Sequence, residues 1–275
     1  MTSRSARWAD LSRHDFAALD LANAIAVLPV GATEQHGPHL PVSVDTDLVE
    51  TVVDRALPLI DPGLTVLFLP AIAYGKSNEH AAVPGTLTLS AETLMRVLAD
   101  IGMSVARAGI RNLVFLNGHG GNTPVLEIAA RDLRVDAGLR TVTCHWYNFN
   151  EANAESDAIE QAFGIHAGLV ETSAMLAIRP ERVAMDRAAD FDNAARGWQE
   201  RYRHIGLAPG RARPAWVIDD LNEDGACGNA ATATRETGER LLDVAGRNFA
   251  SFLLELDRFL RDEAGKSATQ TKRGS

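Results

Sequence analysis

The chain has 275 residues and is 46% hydrophobic, enough for one large α/β domain with a sizeable core. Lys+Arg 27 against Asp+Glu 36 leaves a net charge of -9, and no basic block is concentrated enough to track a phosphate backbone, which argues against nucleic acid as a partner. Met1 to Asp10 is polar with no apolar signal core, and no run approaches the ~18 apolar residues of a membrane span. Two cysteines, Cys144 and Cys227, make no disulfide framework and suit a reducing cytoplasm, so the expectation is a cytoplasmic protein with no membrane partner.

In chain order, Leu11 to Leu21 reads as a short helix or turn, and Ala24 to Val30 is a continuous apolar run typical of a strand buried on both faces. The strand runs into a Gly- and Pro-rich turn that carries Glu34, His36, Asp45 and Asp47. In an extended segment Glu34 and His36 share a face, as do Asp45 and Asp47. Oxygen and imidazole ligands at the end of a buried strand suit zinc, manganese or iron, although a solvated polar turn is the simpler alternative. Asp47 is placed as the cap of a helix reaching about Leu57.

Thr65 to Pro70 predicts a second strand, followed by a long loop carrying Ser77, Asn78, Glu79 and His80. That loop offers a hydroxyl and a proton carrier for a substrate, or is only polar surface. Ser90 predicts the cap of a helix that ends near Arg107. Leu113 to Leu116 is a third strand, a helix starts at Pro124, and Leu139 to Trp146 is a fourth strand. This strand–loop–helix rhythm predicts a parallel sheet covered by helices on both faces, with functional loops at the carboxyl ends of the strands.

Between the third strand and its helix lies Asn117-Gly-His119-Gly120-Gly-Asn122. One reading is a phosphate cradle at a helix start, weakened by the absence of a full GxGxxG or a Walker Lys-Ser/Thr. The other is a tight turn that pushes His119 into the site as a metal ligand. His166 and Glu171 precede and open another helix and can converge only if His166 lies before it and Glu171 faces inward on its first turn. No Gly-x-Ser-x-Gly elbow is present and neither cysteine lies in an activating motif, so water activated by a metal is the better-supported nucleophile. Residues 186–214 read as a surface insertion or an arm onto another subunit. Residues 1–263 read as one domain, and 264–275 as a disordered tail.

Gly31-Ala-Thr-Glu-Gln-His-Gly-Pro-His-Leu-Pro, Asp45, Asn117-Gly-His-Gly-Gly-Asn and His166-Ala-Gly-Leu-Val-Glu-Thr-Ser together resemble the creatininase (creatinine amidohydrolase) family, across about residues 24–245. The resemblance implies a three-layer α/β/α fold with a mostly parallel sheet, two divalent ions per chain (Zn, Mn or Fe) and a homohexamer. It implies that Glu34, Asp45 and His119 hold one ion and that His36 and Asp45 hold the other. Creatininase carries a glutamate where this chain has Gly121, and Glu171 is expected to fill that place as ligand or base. His166 matches a catalytic histidine and Ser77 a substrate contact. His80, Gly120 and Trp146 complete the expected substrate contacts, Trp146 being the nearest candidate for an aromatic box. The implied activity is hydrolysis of a small-molecule substrate, a cyclic or formyl amide. A cyclic keto-sugar, a small peptide bond or a non-catalytic phosphate-binding module are the alternatives.

Overall fold

The computed structural model describes residues 5–271, with side chains described as far as Glu263. The apolar runs form the strands. β1 (Ala6–Arg7), β2 (Ile25–Val30), β3 (Val66–Phe68), β4 (Asn112–Asn117) and β5 (Arg140–His145) make a five-stranded sheet in the order β1-β3-β2-β4-β5. Every pairing in it is parallel. Central strands alternate between two cores: Ile25 and Val27 of β2 with Val114 and Leu116 of β4 face one side, and Ala26, Leu28 and Val30 with Leu113 and Phe115 face the other. Both faces are therefore apolar, which is why the strands read as unbroken hydrophobic runs.

α1 (Arg13–Ala17) is a single capped turn on Ser12. α2 (Val44–Ala56) lies on the first face, while α3 (Ala91–Arg107, capped by Ser90) and α4 (Thr123–Asp136) pack together on the second. After the short α5 (Ala158–Phe163), α6 (Leu169–Ile178) returns to the first face, where α9 (Arg235–Thr271) packs along both α2 and α6. Arg55 of α2 pairs with Glu239 and Asp243 of α9 across that contact. The result is the three-layer α/β/α arrangement expected.

α9 continues through Thr271; extending an existing helix adds one hydrogen bond per residue without a new nucleus. Residues 272–275 lie outside the described residues. The segment 186–214 packs against the body of the domain. Its strand β6 (Asp190–Phe191) pairs antiparallel with β7 (Gly228–Asn229), and α7 (Ala195–Arg201) with α8 (Ile218–Leu221) forms a small core that also takes Val83 and Phe163. No described helix is long and apolar enough to cross a membrane.

Candidate metal centre

Because all five strands run the same way, their carboxyl ends lie along one edge. The chain passes from β2 to β3 on one side and then to β4 on the other, so β2 and β4 flank the point where the winding reverses. Glu34 and His36 follow β2, and His119 follows β4. Asp45 sits in the first turn of α2 and Glu171 in the first turn of α6, each at the positive end of its helix. All five are buried.

Asp45 and Asp47 were expected to share a face in an extended segment; instead they lie on a helix, where residues two apart diverge by roughly 200°. Asp45 turns into the cluster, and Asp47 turns out to Arg179 at 3.0 Å and Ser43 at 2.7 Å. The cap position is Ser43, not Asp47. Glycine makes the seating possible. A Cβ on Gly118 would lie 2.4 Å from the Asp45 carbonyl oxygen, and one on Gly31 2.6 Å from Thr46 Cα, so any side chain at either place would push α2 off the sheet edge.

Three sets of ligand atoms converge, each within 4.8 Å of one another: Glu34, Asp45 and His119; His36, Asp45 and Glu171; and Glu34, His36 and His166. Glu34, His36 and Asp45 each belong to two of them. The histidines are oriented for coordination. His36 Nδ1 donates to the Glu34 carbonyl at 3.0 Å, which leaves Nε2 facing Asp45 Oδ1 at 3.5 Å and Glu171 Oε2 at 3.8 Å. His119 Nε2 donates to the Lys76 carbonyl at 3.0 Å, which leaves Nδ1 facing Glu34 Oε1 at 3.2 Å and Asp45 Oδ2 at 3.6 Å. Both oxygens of Glu34, Oδ2 of Asp45 and Nε2 of His36 are buried with no hydrogen-bond partner among the described residues. Buried polar atoms without partners are costly, and these all point at each other. The donor set of carboxylate oxygens and imidazole nitrogens fits divalent cations.

The electrostatics agree. Burial disfavours the charged form of His36, yet Asp45 beside it raises its pKa to about 9. His119 is likewise raised well above the ordinary value, because Glu34 outweighs burial. Burial and then the charge of Glu34 push Asp45 up to about 6. The centre thus attracts positive charge, whether protons or cations.

Around it stand two imidazoles held neutral. Burial, reinforced by His36, lowers His166 to about 4; burial, reinforced by His166, lowers His80 to about 3. Their rings stack with centroids 4.3 Å apart. His166 lies just before α6, bridged to Cys227, and donates from Nε2 to the Gln35 carbonyl at 2.8 Å, so Nδ1 faces Glu34 Oε1 at 3.7 Å. Ala167, between His166 and α6, holds a left-handed backbone at φ 54, and its N–H donates to Glu171 Oε2 at 2.6 Å. A non-glycine residue in that region stores strain, here in the link between the candidate proton carrier and the candidate ligand.

Of the expected substrate contacts, Ser77 and His80 are buried against the cluster, with Ser77 Oγ 3.3 Å from His119 Nε2. Gly120 is exposed at the turn. Trp146 departs from expectation: it is fully buried in the core beneath α2, α6 and α9, where a large apolar ring gains most from burial, and it offers no face to a substrate. Its neighbour Tyr147 reaches the site instead, with a partly exposed ring and a hydroxyl that donates to Glu171 Oε1. Trp216 stands edge-on to His80, with centroids 6.4 Å apart.

Sequence reading passed over Tyr147 and Trp216, whose positions depend on chain folding back from far away. It also passed over Gln35, whose signal was available, since it lies between two proposed ligands. Gln35 Nε2 donates to His80 Nδ1 at 2.8 Å and to the Gly225 carbonyl at 2.9 Å, and Oε1 accepts from Gly37 N–H at 2.9 Å. Three of the N–H groups that a phosphate cradle at residues 117–122 would use are already bonded, Gly118 to the Val30 carbonyl, His119 to Asn117 Oδ1 and Asn122 to the His119 carbonyl.

A family model described as creatinine amidohydrolase matches residues 9–253. A mycofactocin precursor peptide peptidase of Mycobacterium ulcerans is 37% identical over 226 residues, covering 78% of each chain. A creatinine amidohydrolase of Pseudomonas putida is 32% identical over 253 residues, covering 85% of this chain and 90% of its own. Among solved structures, a point variant of creatininase of zinc–zinc type superposes with a TM-score of 0.71 at 30% identity, over 93% of this chain and 98% of the other.

Proposed function

The chain belongs to the creatininase family and is a hydrolase, and from that premise we propose that it cleaves a non-peptide C–N bond, in a cyclic or formyl amide, at a pair of divalent cations. The observation that carries the proposal is the convergence of buried ligand atoms, those of Glu34, His36 and Asp45 without hydrogen-bond partners, into sets of which two share Asp45. Glu34, Asp45 and His119 hold one cation, and His36, Asp45 and Glu171 the other. Zinc, manganese and iron all suit these donors. When bound, such cations polarise a carbonyl and lower the pKa of water towards neutrality.

The chain's own groups do the rest. His166, neutral and with Nδ1 turned to the centre, accepts a proton from the attacking water and delivers it to the leaving nitrogen as the C–N bond breaks. Tyr147 and the Ala167 N–H each donate to one oxygen of Glu171 and so fix its carboxylate. Gln35 holds His80 and the His166 strand edge in register. A cleft of about 470 Å³ reaches the centre at Glu171 and Tyr147, and its wall carries Asn148, Asn150, Asn153 and Gln161. Amide side chains both donate and accept, which matches a substrate made of amide groups.

Peptide-bond cleavage is the second reading. The 37% identity to a peptide peptidase favours it, and so does a cleft larger than a single small ring requires. A ring-shaped homohexamer in the cytoplasm belongs to the same proposal; light scattering should give six times the 29.6 kDa chain mass.

The test is purified protein loaded with Zn, Mn or Fe and offered lactams, hydantoins, formamides, short peptides and cyclic ketones. Amide turnover that a chelator abolishes and added metal restores is the expected result. Metal-free protein with full turnover, or turnover confined to the ketones, would overturn the proposal.

A further inference from the structure

We infer that Glu79 is a positioning residue that holds His119 against the centre from the far side of its ring, and that residue 121 is glycine so that Glu79 can reach it. The inference rests on the metal-centre reading above.

His119 presents Nδ1 to Glu34 and Asp45. Its other nitrogen, Nε2, donates its one proton to the Lys76 carbonyl at 3.0 Å, with Ser77 Oγ at 3.3 Å and the Glu79 carboxylate oxygen Oε1 at 3.4 Å beside it, within ion-pair range. The Lys76 carbonyl sets the tautomer, and a carboxylate charge beside the same nitrogen holds the ring in place and strengthens donation from the opposite one. Glu79 is placed for this on the short helical turn Asn78–His80, in the loop between β3 and α3. Its side chain is 16% exposed, so its charge costs far less to keep than that of Glu34 at 1%.

The space explains the glycine. A Cβ built on Gly121 would lie 2.3 Å from Glu79 Oε1, 2.3 Å from the Lys76 carbonyl oxygen and 2.4 Å from His119 Nε2. A side chain at 121 and this arrangement behind His119 are mutually exclusive. In contrast, Gly120 has nothing within 4 Å of its built Cβ, so only the second of the two adjacent glycines is required by space. Gly121 therefore marks a site where the support of His119 comes from the 76–79 loop.

The experiment is competition for Zn2+ between the full-length protein and a chromophoric chelator, in wild type, Glu79→Gln, Glu79→Ala and Gly121→Ala. Glu79→Gln keeps the shape and removes the charge; Gly121→Ala keeps the charge and displaces it. In each variant one Zn2+ should bind as in wild type, and the other about 10–100-fold more weakly. The cation held by His36, Asp45 and Glu171 should be the one retained. Cobalt substitution gives a second readout, since the visible bands of only one of the two ions should shift. The melting temperatures of chelator-stripped wild type and Glu79→Gln should coincide, which separates positioning from folding. If Gly121→Ala does not fold, Glu79→Gln decides alone. Equal affinity of Glu79→Gln and wild type for both ions overturns the inference and leaves the metal centre standing. A wild-type protein that binds no Zn2+ removes both.

Discussion

Asp45 and His166 carry the sharpest consequences at the scale of single residues. Asp45 is common to two ligand sets, so Asp45→Asn should cost both cations and all activity, whereas loss of a ligand in one set alone leaves the other intact. Elemental analysis of the purified variant checks this, and a full complement of metal would contradict the sharing. His166 is argued to move a proton. His166→Asn should lower kcat by about 10²–10⁴-fold with the metal content of wild type. Its Nδ1 also lies among Glu34 and His36 ligand atoms. A His166→Asn protein that arrives without metal would instead make His166 a ligand.

The element that organises the site is the junction before α6. Glu160 ties it down: Oε1 accepts from Leu169 N–H at 2.8 Å, and Oε2 from Asn229 N–H at 2.7 Å. One carboxylate thereby clamps the start of α6 to β7, with His166 and the left-handed Ala167 between them. Hydrogen bonds to a charged acceptor contribute about 1.5–3 kcal/mol each, less where burial already disfavours the charge, as it does at Glu160. Glu160→Ala should therefore destabilise the fold by about 2–4 kcal/mol in urea unfolding. It should also lower kcat more than metal content, because the strained turn relaxes and His166 loses its register. An unchanged urea midpoint would show that the clamp contributes nothing.

For the whole molecule, the centre links stability to cation binding. It joins β2, β4, α2 and α6, so a cation held there bridges elements distant in sequence and binds only the folded chain. At a free concentration of 100 times Kd, each ion adds about 2.7 kcal/mol, or roughly 5–10 °C in Tm for a domain of this size. Calorimetry with and without chelator should show that shift, in wild type and not in Asp45→Asn. Identical melting curves would mean that the cluster binds no cation in the folded state.

The sequence by itself determined the layered α/β architecture, because buried parallel strands must be apolar on both faces and the runs from Ala24, Thr65 and Leu113 are unbroken. It also carried the identities of the clustered residues, because Glu34, His36, Asp45, His119, His166 and Glu171 lie in short motifs whose order is itself distinctive. Tertiary structure alone decided which way each side chain turns. Asp45 faces the centre and Asp47 faces Arg179 because α2 starts one turn earlier than its apolar pattern shows. Trp146 went to the core, and Tyr147 and Trp216 to the site, because residues that follow a strand or lie on a returning segment take their surroundings from packing across the chain. Local pattern reports which residues are buried. Only the assembled packing reports which buried atoms meet.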